Sequence, residues 1–122
     1  MNQEQLKTRL RNFAISIIYL CRKLPENREG RLLGNQIFRS GTSIAANYRA
    51  VCRARSKADF IAKLGIVEEE ADETLFWLGI LKDIKIIENK DLDSLIAENN
   101  EILSIIVASR KTAKNNLQQQ VK

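Results

Sequence analysis

The stretch RSGTSIAANYRAVCRARS, residues 39–56, decides how the chain folds, because it reads as the second half of a long helix and the turn that follows. On a helical wheel, at about 100° per residue, its apolar positions recur at three- and four-residue steps, which is typical of a helix with one buried face. The predicted buried positions are Leu33, Ile37, Ser40, Ile44, Tyr48 and Val51. The arginines fall on the opposite side, so they either bind a partner or face water.

Working outward, the same periodicity predicts four helices and an all-α chain. They run from about Gln3 to Lys23, from Arg28 or Arg31 to Arg53, from an N-cap at Ser56 to about Asp83, and from an N-cap at Asp91. LPENREG and KIIENKD read as turns, SKAD as a capping box, and the polar NNLQQQVK as a fraying end. Long helices with short turns predict one domain, residues 1–122, folded as an antiparallel up-and-down four-helix bundle.

The apolar positions of the other three helices predict the rest of the core. They are Leu6, Leu10, Phe13, Ile17, Leu20 and Leu24 in the first helix, Phe60, Leu64, Val67, Ala71, Leu75 and Leu78 in the third, and Leu92, Leu95, Ile96, Leu103, Ile106 and Leu117 in the fourth. A second flank of the second helix carries the small residues Gly34, Gly41, Ala45 and Cys52. Small side chains predict close packing there, within the bundle or against a neighbouring subunit.

The composition excludes several kinds of chemistry. The chain has no histidine, so it cannot form a Ser-His-Asp or Cys-His catalytic group or a histidine-containing di-iron site. Cys21 and Cys52 lack metal-ligand spacing and are expected to be buried, reduced thiols. We therefore expect no enzyme activity, metal or cofactor. With no signal-peptide pattern and no long apolar run, the expected location is the cytoplasm.

Charge is distributed unevenly along the sequence. Residues 1–57 contain 12 Lys and Arg against 3 Asp and Glu, whereas residues 58–103 contain 4 against 12. Residues 104–122 contain 4 basic and no acidic residues. The net charge of +5 thus conceals strongly basic and strongly acidic segments, which either pair with each other or face different partners.

The arginines of the second helix form the candidate binding site. Arg28, Arg31, Arg39, Arg49 and Arg53 fall on one outward face of the helical wheel. Guanidinium groups suit phosphate because their fork of donors matches its oxygens. The alternative is a solvated face, or pairing with the acidic residues between Glu68 and Glu73, a run that has no nucleophile or histidine nearby to make it catalytic.

The third helix has more apolar surface than one buried face needs. Its surplus side chains are Ile66, Phe76, Trp77 and Ile80. Large apolar residues off the core direction predict a subunit interface. A wide buried face is the alternative interpretation.

The segments RSGTSIAANYRA and RSKADFIAKLGIVEEEADETLFWL resemble the bacterial four-helix-bundle proteins encoded in intervening sequences of 23S rRNA genes, whose relatives include the accessory variability determinant of diversity-generating retroelements. The resemblance extends over essentially the whole chain. It implies a homopentamer with a basic surface, nucleic-acid binding as in some relatives, and a reverse transcriptase as partner in one of them. It implies no enzyme activity.

Two functions from different classes remain at this point. The first is a non-catalytic nucleic-acid-binding protein that favours structured RNA or RNA–DNA and binds through phosphates with little reading of bases. The chain lacks the interleaved aromatic residues on which single-strand binders stack bases, and Tyr48 falls on the core side. The second is a structural oligomer or adaptor whose arginines pair with the acidic third helix and bind no nucleic acid.

Overall fold

The computed structural model describes residues 1–88 and 90–121, without the side chain of Val121, and this part of the chain is helical with no strand. The helices are α1 (Gln3–Lys23), α2 (Arg28–Val51), α3 (Lys57–Asp83) and α4 (Lys90–Val121). The all-α prediction is confirmed. The segment NNLQQQVK, predicted to fray, is helical as far as Val121, and Lys122 lies outside the described residues. Within the predicted turn KIIENKD, Asn89 lies outside the described residues.

Side-chain caps set the beginnings of the first two helices. The Asn2 side chain accepts a hydrogen bond from the Gln5 N–H at 2.8 Å, and the Asn2 N–H donates to the Gln5 side chain at 3.0 Å. This capping box satisfies two donors that the helix itself cannot. Asn27 caps α2 by accepting from the Gly30 N–H at 2.8 Å. Gly30 is required there, since a Cβ would lie 1.9 Å from the Pro25 carbonyl oxygen.

The capping box predicted at α3 is only half correct. Ser56 accepts from the Asp59 N–H at 3.0 Å, as expected. The Asp59 carboxylate does not return a bond to Ser56; it accepts from the Arg55 N–H at 3.1 Å and from Lys63 at 2.9 Å. Aspartate is one methylene shorter than the glutamate that usually completes this motif.

Contacts between the helices have an antiparallel register. The hydroxyl groups of Ser40 of α2 and Thr74 of α3 are hydrogen-bonded at 2.9 Å, and Asn99 of α4 donates to the Ala71 carbonyl of α3 at 2.9 Å. Ion pairs join α1 to α4 at Arg9–Glu98 and Lys23–Asp91, so residue numbers rise along one helix as they fall along the other. Each helix packs on its sequence neighbours, and α1 also meets α4. These contacts are consistent with an up-and-down four-helix bundle.

The predicted core is correct in α1 and nearly so in α2, where Leu33 is only half-buried. In α3, Phe60 and Leu75 are half-buried, and the buried positions include Ile61, Thr74 and Leu81 instead. Helix α3 is apolar on several sides, so the wheel does not define a single inner direction. The corrections in α4 are that Ile96, Leu103 and Leu117 are half-buried, while Asn99 and Ile102 are buried.

The small-residue flank of α2 faces α1 within the bundle. A Cβ added to Gly41 would lie 2.8 Å from Ile17 of α1, and one added to Gly34 would lie 3.2 Å from Leu24. The flank therefore serves packing between α1 and α2, which decides between the two interpretations left open by the sequence.

The cysteines are less buried than expected. Both Cys21 and Cys52 are free thiols of intermediate exposure, since each lies on the flank of its helix and not on the core face. Burial nevertheless raises the pKa of Cys21 to about 11. Its thiol is therefore protonated at neutral pH, and thiolate chemistry is disfavoured.

Candidate nucleic-acid interface

The five predicted arginines are all exposed, but they do not form one compact site. Arg28 begins α2 and Arg53 follows its end, so at about 1.5 Å per residue they are separated by roughly 37 Å. Arg28 and Arg31 therefore lie at one end of the bundle, and Arg49 and Arg53 lie at the other. The single arginine face read from the wheel divides into two separate regions.

Arg39, between these regions, is paired with the acidic run of α3. Its guanidinium contacts Glu70 at 3.3 Å and also donates a hydrogen bond to Glu73. The bond to Glu73 is the main reason that the pKa of Arg39 is raised. The indole N–H of Trp77 approaches the other Glu73 oxygen at 3.5 Å. For Arg39, the pairing alternative is the one observed.

The fold concentrates positive charge at one end of the bundle. Helices α1 and α3 begin at this end and α2 and α4 finish there, which brings residues 1–11, 49–63 and 105–121 together; we call this region the basic end. It contains eleven Lys and Arg but only two acidic residues, Glu4 and Asp59. Residues 18–32 and 79–95, at the opposite end, contain seven basic and six acidic residues. The basic end is therefore the natural surface for a polyanion.

A cleft between α1 and α2 opens at the basic end. It has a volume of about 560 Å³ and combines the cations Lys7, Arg11 and Arg49 with Glu4, Thr8, Ala45 and Ala46. The two alanines keep the space between the cations open. Sequence reasoning missed Lys7 and Arg11, although the predicted antiparallel order of the helices already places the beginning of α1 beside the end of α2.

Ion pairing leaves several of these cations free to bind an anion. In the described part of the chain, Arg9 pairs with Glu98 and Glu101, and Lys63 pairs with Asp59. The hydrogen bond from Lys63 is the main reason that the pKa of Asp59 is lowered. No ion pair occupies the side chains of Lys7, Arg11, Arg49 or Arg53 within residues 1–88 and 90–121.

Comparison with known proteins identifies the family. Residues 4–108 match the family described as 23S rRNA-intervening sequence protein. The chain belongs to this family. A search of curated proteins found no significant match.

A crystal structure of a family relative has the same fold. This protein of unknown function, from the S23 ribosomal protein family of Bacteroides thetaiotaomicron VPI-5482, is 35% identical and superposes with a TM-score of 0.82. The alignment covers 91% of this chain and 99% of the relative. Among the described residues, no helix is both long enough and apolar enough to cross a membrane.

The subunit interface predicted on α3 of this chain is partly exposed. Phe76 and Ile66 have 59% and 45% of their surface accessible, whereas Trp77 and Ile80 are half-buried. The Trp77 ring packs against the core and meets Phe76 edge-to-face, with ring centroids 5.0 Å apart. Phe76 and Ile66 are thus the members of the set with most surface left for a partner.

Proposed function

We propose that this chain is a non-catalytic protein that binds RNA or DNA through phosphate contacts at its basic end. The observation that carries the proposal is the α1/α2 cleft, in which Lys7, Arg11 and Arg49 stand without ion pairs in the described part of the chain. Ammonium and guanidinium groups donate to phosphate oxygens, and each neutralised phosphate releases counterions. The resemblance to relatives that bind nucleic acid supports this function, whereas the family description names only the location of the genes.

In this proposal, the chain acts as a homo-oligomer in the cytoplasm and catalyses no reaction. The family resemblance makes a pentamer the expected assembly and a reverse transcriptase a candidate partner. Several basic ends in one assembly would raise the overall affinity without any new contact, because later contacts form at a high effective concentration.

A structural oligomer or adaptor without nucleic-acid binding is the second candidate function. Two observations favour it. Arg39 pairs with Glu70 and Glu73 within the protomer, so part of the positive charge is already used. Phe76 and Ile66 leave apolar surface exposed for another protein.

A pair of charge-matched double variants tests the first function. Lys7→Ala with Arg49→Ala removes two positive charges from the cleft, whereas Arg28→Ala with Arg31→Ala removes two from the near-neutral end. Binding of a fluorescent RNA hairpin and a DNA duplex would be followed by anisotropy at about 50 and 200 mM salt. We expect the cleft variant to bind at least about tenfold more weakly and to flatten the salt slope by about two.

The control variant should bind within about twofold of the wild type, since its charges lie roughly 30 Å from the cleft. Light scattering on each variant shows whether assembly is unchanged. Equal effects of the two double variants would reject the basic end as the binding surface. A wild-type protein without affinity for either probe at about 50 mM salt would favour the structural function.

A further inference from the structure

Helix α4 extends past the helices that cover it at the basic end. Met1 and Gln3, at the beginning of α1, line the same cavity as Ile105 and Ser109 of α4. The Arg110 side chain donates to the Ile61 carbonyl in the second turn of α3 at 3.2 Å. From Arg110, α4 continues to Val121, a length of roughly 16 Å. The side of α4 that faces α1 lower in the bundle is therefore uncovered here.

This uncovered side forms a shallow hollow that is largely open to solvent, which we call the α4 hollow, with a volume of about 450 Å³. The half-buried ring of Phe60 closes one wall from the first turn of α3. Two alanines supply further apolar surface, and three side chains can form hydrogen bonds. The lining residues are Phe60, Ala108, Ser109, Thr112, Ala113 and Asn116.

We propose that the α4 hollow receives one unpaired nucleobase of a strand whose phosphates bind at the basic end. The inference rests on the proposed function and adds the form of the nucleic acid that the site prefers. An aromatic ring provides a stacking surface for any base. The Asn116 amide and the Thr112 hydroxyl supply donors and acceptors of the kind that pair with the edge of a base.

The charge around the hollow also suits a strand of nucleic acid. No acidic residue occurs after Glu101, whereas Arg110, Lys111 and Lys114 lie on the same helix as the hollow. A peptide ligand would gain little from this charge unless it were acidic. A free phosphate would not use the Phe60 ring or the two alanines. A nucleotide within a strand uses the apolar wall, the hydrogen-bonding groups and the positive charge together.

A consequence is that unpaired strands should bind better than perfect duplexes, whose bases are stacked on each other and are not free to enter. Stacking of a base on one aromatic side chain contributes about 5- to 150-fold in affinity. Phosphate contacts alone would instead favour the duplex, because its charge density is higher.

The test fills the hollow with a larger side chain. Ala113→Leu adds volume inside the hollow, and leucine is a good helix former. Ala97→Leu makes the same change at an exposed position of α4 outside the hollow. Phe60→Leu keeps an apolar side chain but removes the flat ring. The probes are fluorescent 12-nucleotide single strands of RNA and of DNA and 12-base-pair duplexes of the same sequence, at about 50 mM salt.

Ala113→Leu and Phe60→Leu should weaken single-strand binding by about tenfold and leave duplex binding within about twofold. Ala97→Leu should change neither. A larger loss with RNA than with DNA would assign a contact to the 2′-hydroxyl, and equal losses would limit the contact to the base. Thermal unfolding of each variant shows whether it is folded, and Thr112→Val replaces Phe60→Leu if the latter is not.

Two outcomes would overturn the inference in different ways. If filling the hollow changes single-strand and duplex binding equally, or changes neither, the hollow does not receive a base, and the basic end can still bind phosphate. If the wild-type protein binds neither probe, the proposed function itself is wrong and the hollow has no nucleic-acid ligand.

Discussion

Gly41 illustrates how single residues determine the spacing of the helices. A Cβ at this position would lie 2.8 Å from Cγ2 and 2.9 Å from Cγ1 of Ile17. Ile17 is completely buried, so its side chain has little room to move aside. Glycine in a helix interior is roughly 1 kcal/mol less favourable than alanine. Close packing of α1 on α2 therefore requires glycine at position 41, although glycine lowers the intrinsic stability of helix α2.

We predict that Gly41→Ala lowers the free energy of unfolding by about 1 to 2 kcal/mol, because overpacking costs more than the helix gains. Gly79→Ala is the matched control, since a Cβ added to Gly79 would meet open space. It should raise the free energy of unfolding by up to about 1 kcal/mol. Urea unfolding measures both. A stabilised Gly41→Ala protein would mean that Ile17 can repack.

At the scale of whole elements, α3 and α4 are joined by a buried amide. Asn99 is fully buried, and its Nδ2 donates to the Ala71 carbonyl at 2.9 Å. Its Oδ1 has no partner in the described part of the chain. A buried acceptor without a hydrogen bond costs about 1 to 3 kcal/mol. Asn99 therefore contributes less to the α3–α4 contact than an apolar side chain of similar size would.

We predict that Asn99→Leu raises the free energy of unfolding by about 1 kcal/mol, because the unsatisfied buried acceptor is removed. Thr74→Val is the comparison, because the Thr74 hydroxyl bonds both Ser40 and the Glu70 carbonyl. That change should destabilise by about 1 kcal/mol, since Ser40 is left without its partner. Thermal and urea unfolding decide. A clear loss of stability in Asn99→Leu would show that Oδ1 is satisfied by water.

The positions of the helices were predicted from sequence better than the side of each helix that is buried. Most helix limits followed from periodicity and from breaks such as Pro25, which disfavours helix at the preceding residue. Two were wrong: α2 ends at Val51 and not at Arg53, and Asp91, predicted as an N-cap, lies within the first turn of α4. The inner side of α3 was misread because Phe60 and Ile61 are adjacent and both apolar, and only the neighbouring helices determine which is more buried. Asn99 was missed because its amide is polar, although its spacing from Leu95 and Ile106 already places it on the buried face of α4.

The site was only partly predictable, for a different reason. The wheel of α2 correctly placed Arg49 and Arg53 on an exposed side. Lys7 and Arg11 are about forty positions away in sequence and join Arg49 only through the antiparallel packing of α1 on α2. Conversely, the pairing of Arg39 with Glu73 depends on the register between α2 and α3, which periodicity does not define.

At the scale of the whole molecule, the exposed apolar surface of α3 predicts self-association. Phe76 is 59% exposed and lies beside Trp77 on the outside of the bundle. Large exposed aromatic residues are typical of protein interfaces. Because Trp77 also packs on the core, a change at Phe76 separates assembly from folding more cleanly than a change at Trp77.

We predict that the wild-type protein is oligomeric at micromolar concentration and that Phe76→Glu shifts it towards monomer while the helical content is unchanged. Val107→Glu, at a position of α4 that is 43% exposed, is the control and should leave assembly intact. Light scattering or native mass spectrometry measures the mass. A monomeric wild type would reject the interface, as would a Phe76→Glu protein that assembles normally.

The order of the four helices also determines how the molecule can be handled. Residue 1 and residue 121 both belong to the basic end. A fusion partner, affinity tag or surface tether attached at either position therefore lies at the same end as the α1/α2 cleft and the α4 hollow. It would compete with a ligand for access to them, so immobilisation through this end would lower the measured binding. The connections at residues 24–27 and 84–88 lie at the opposite end. A label placed there leaves the basic end open to a ligand.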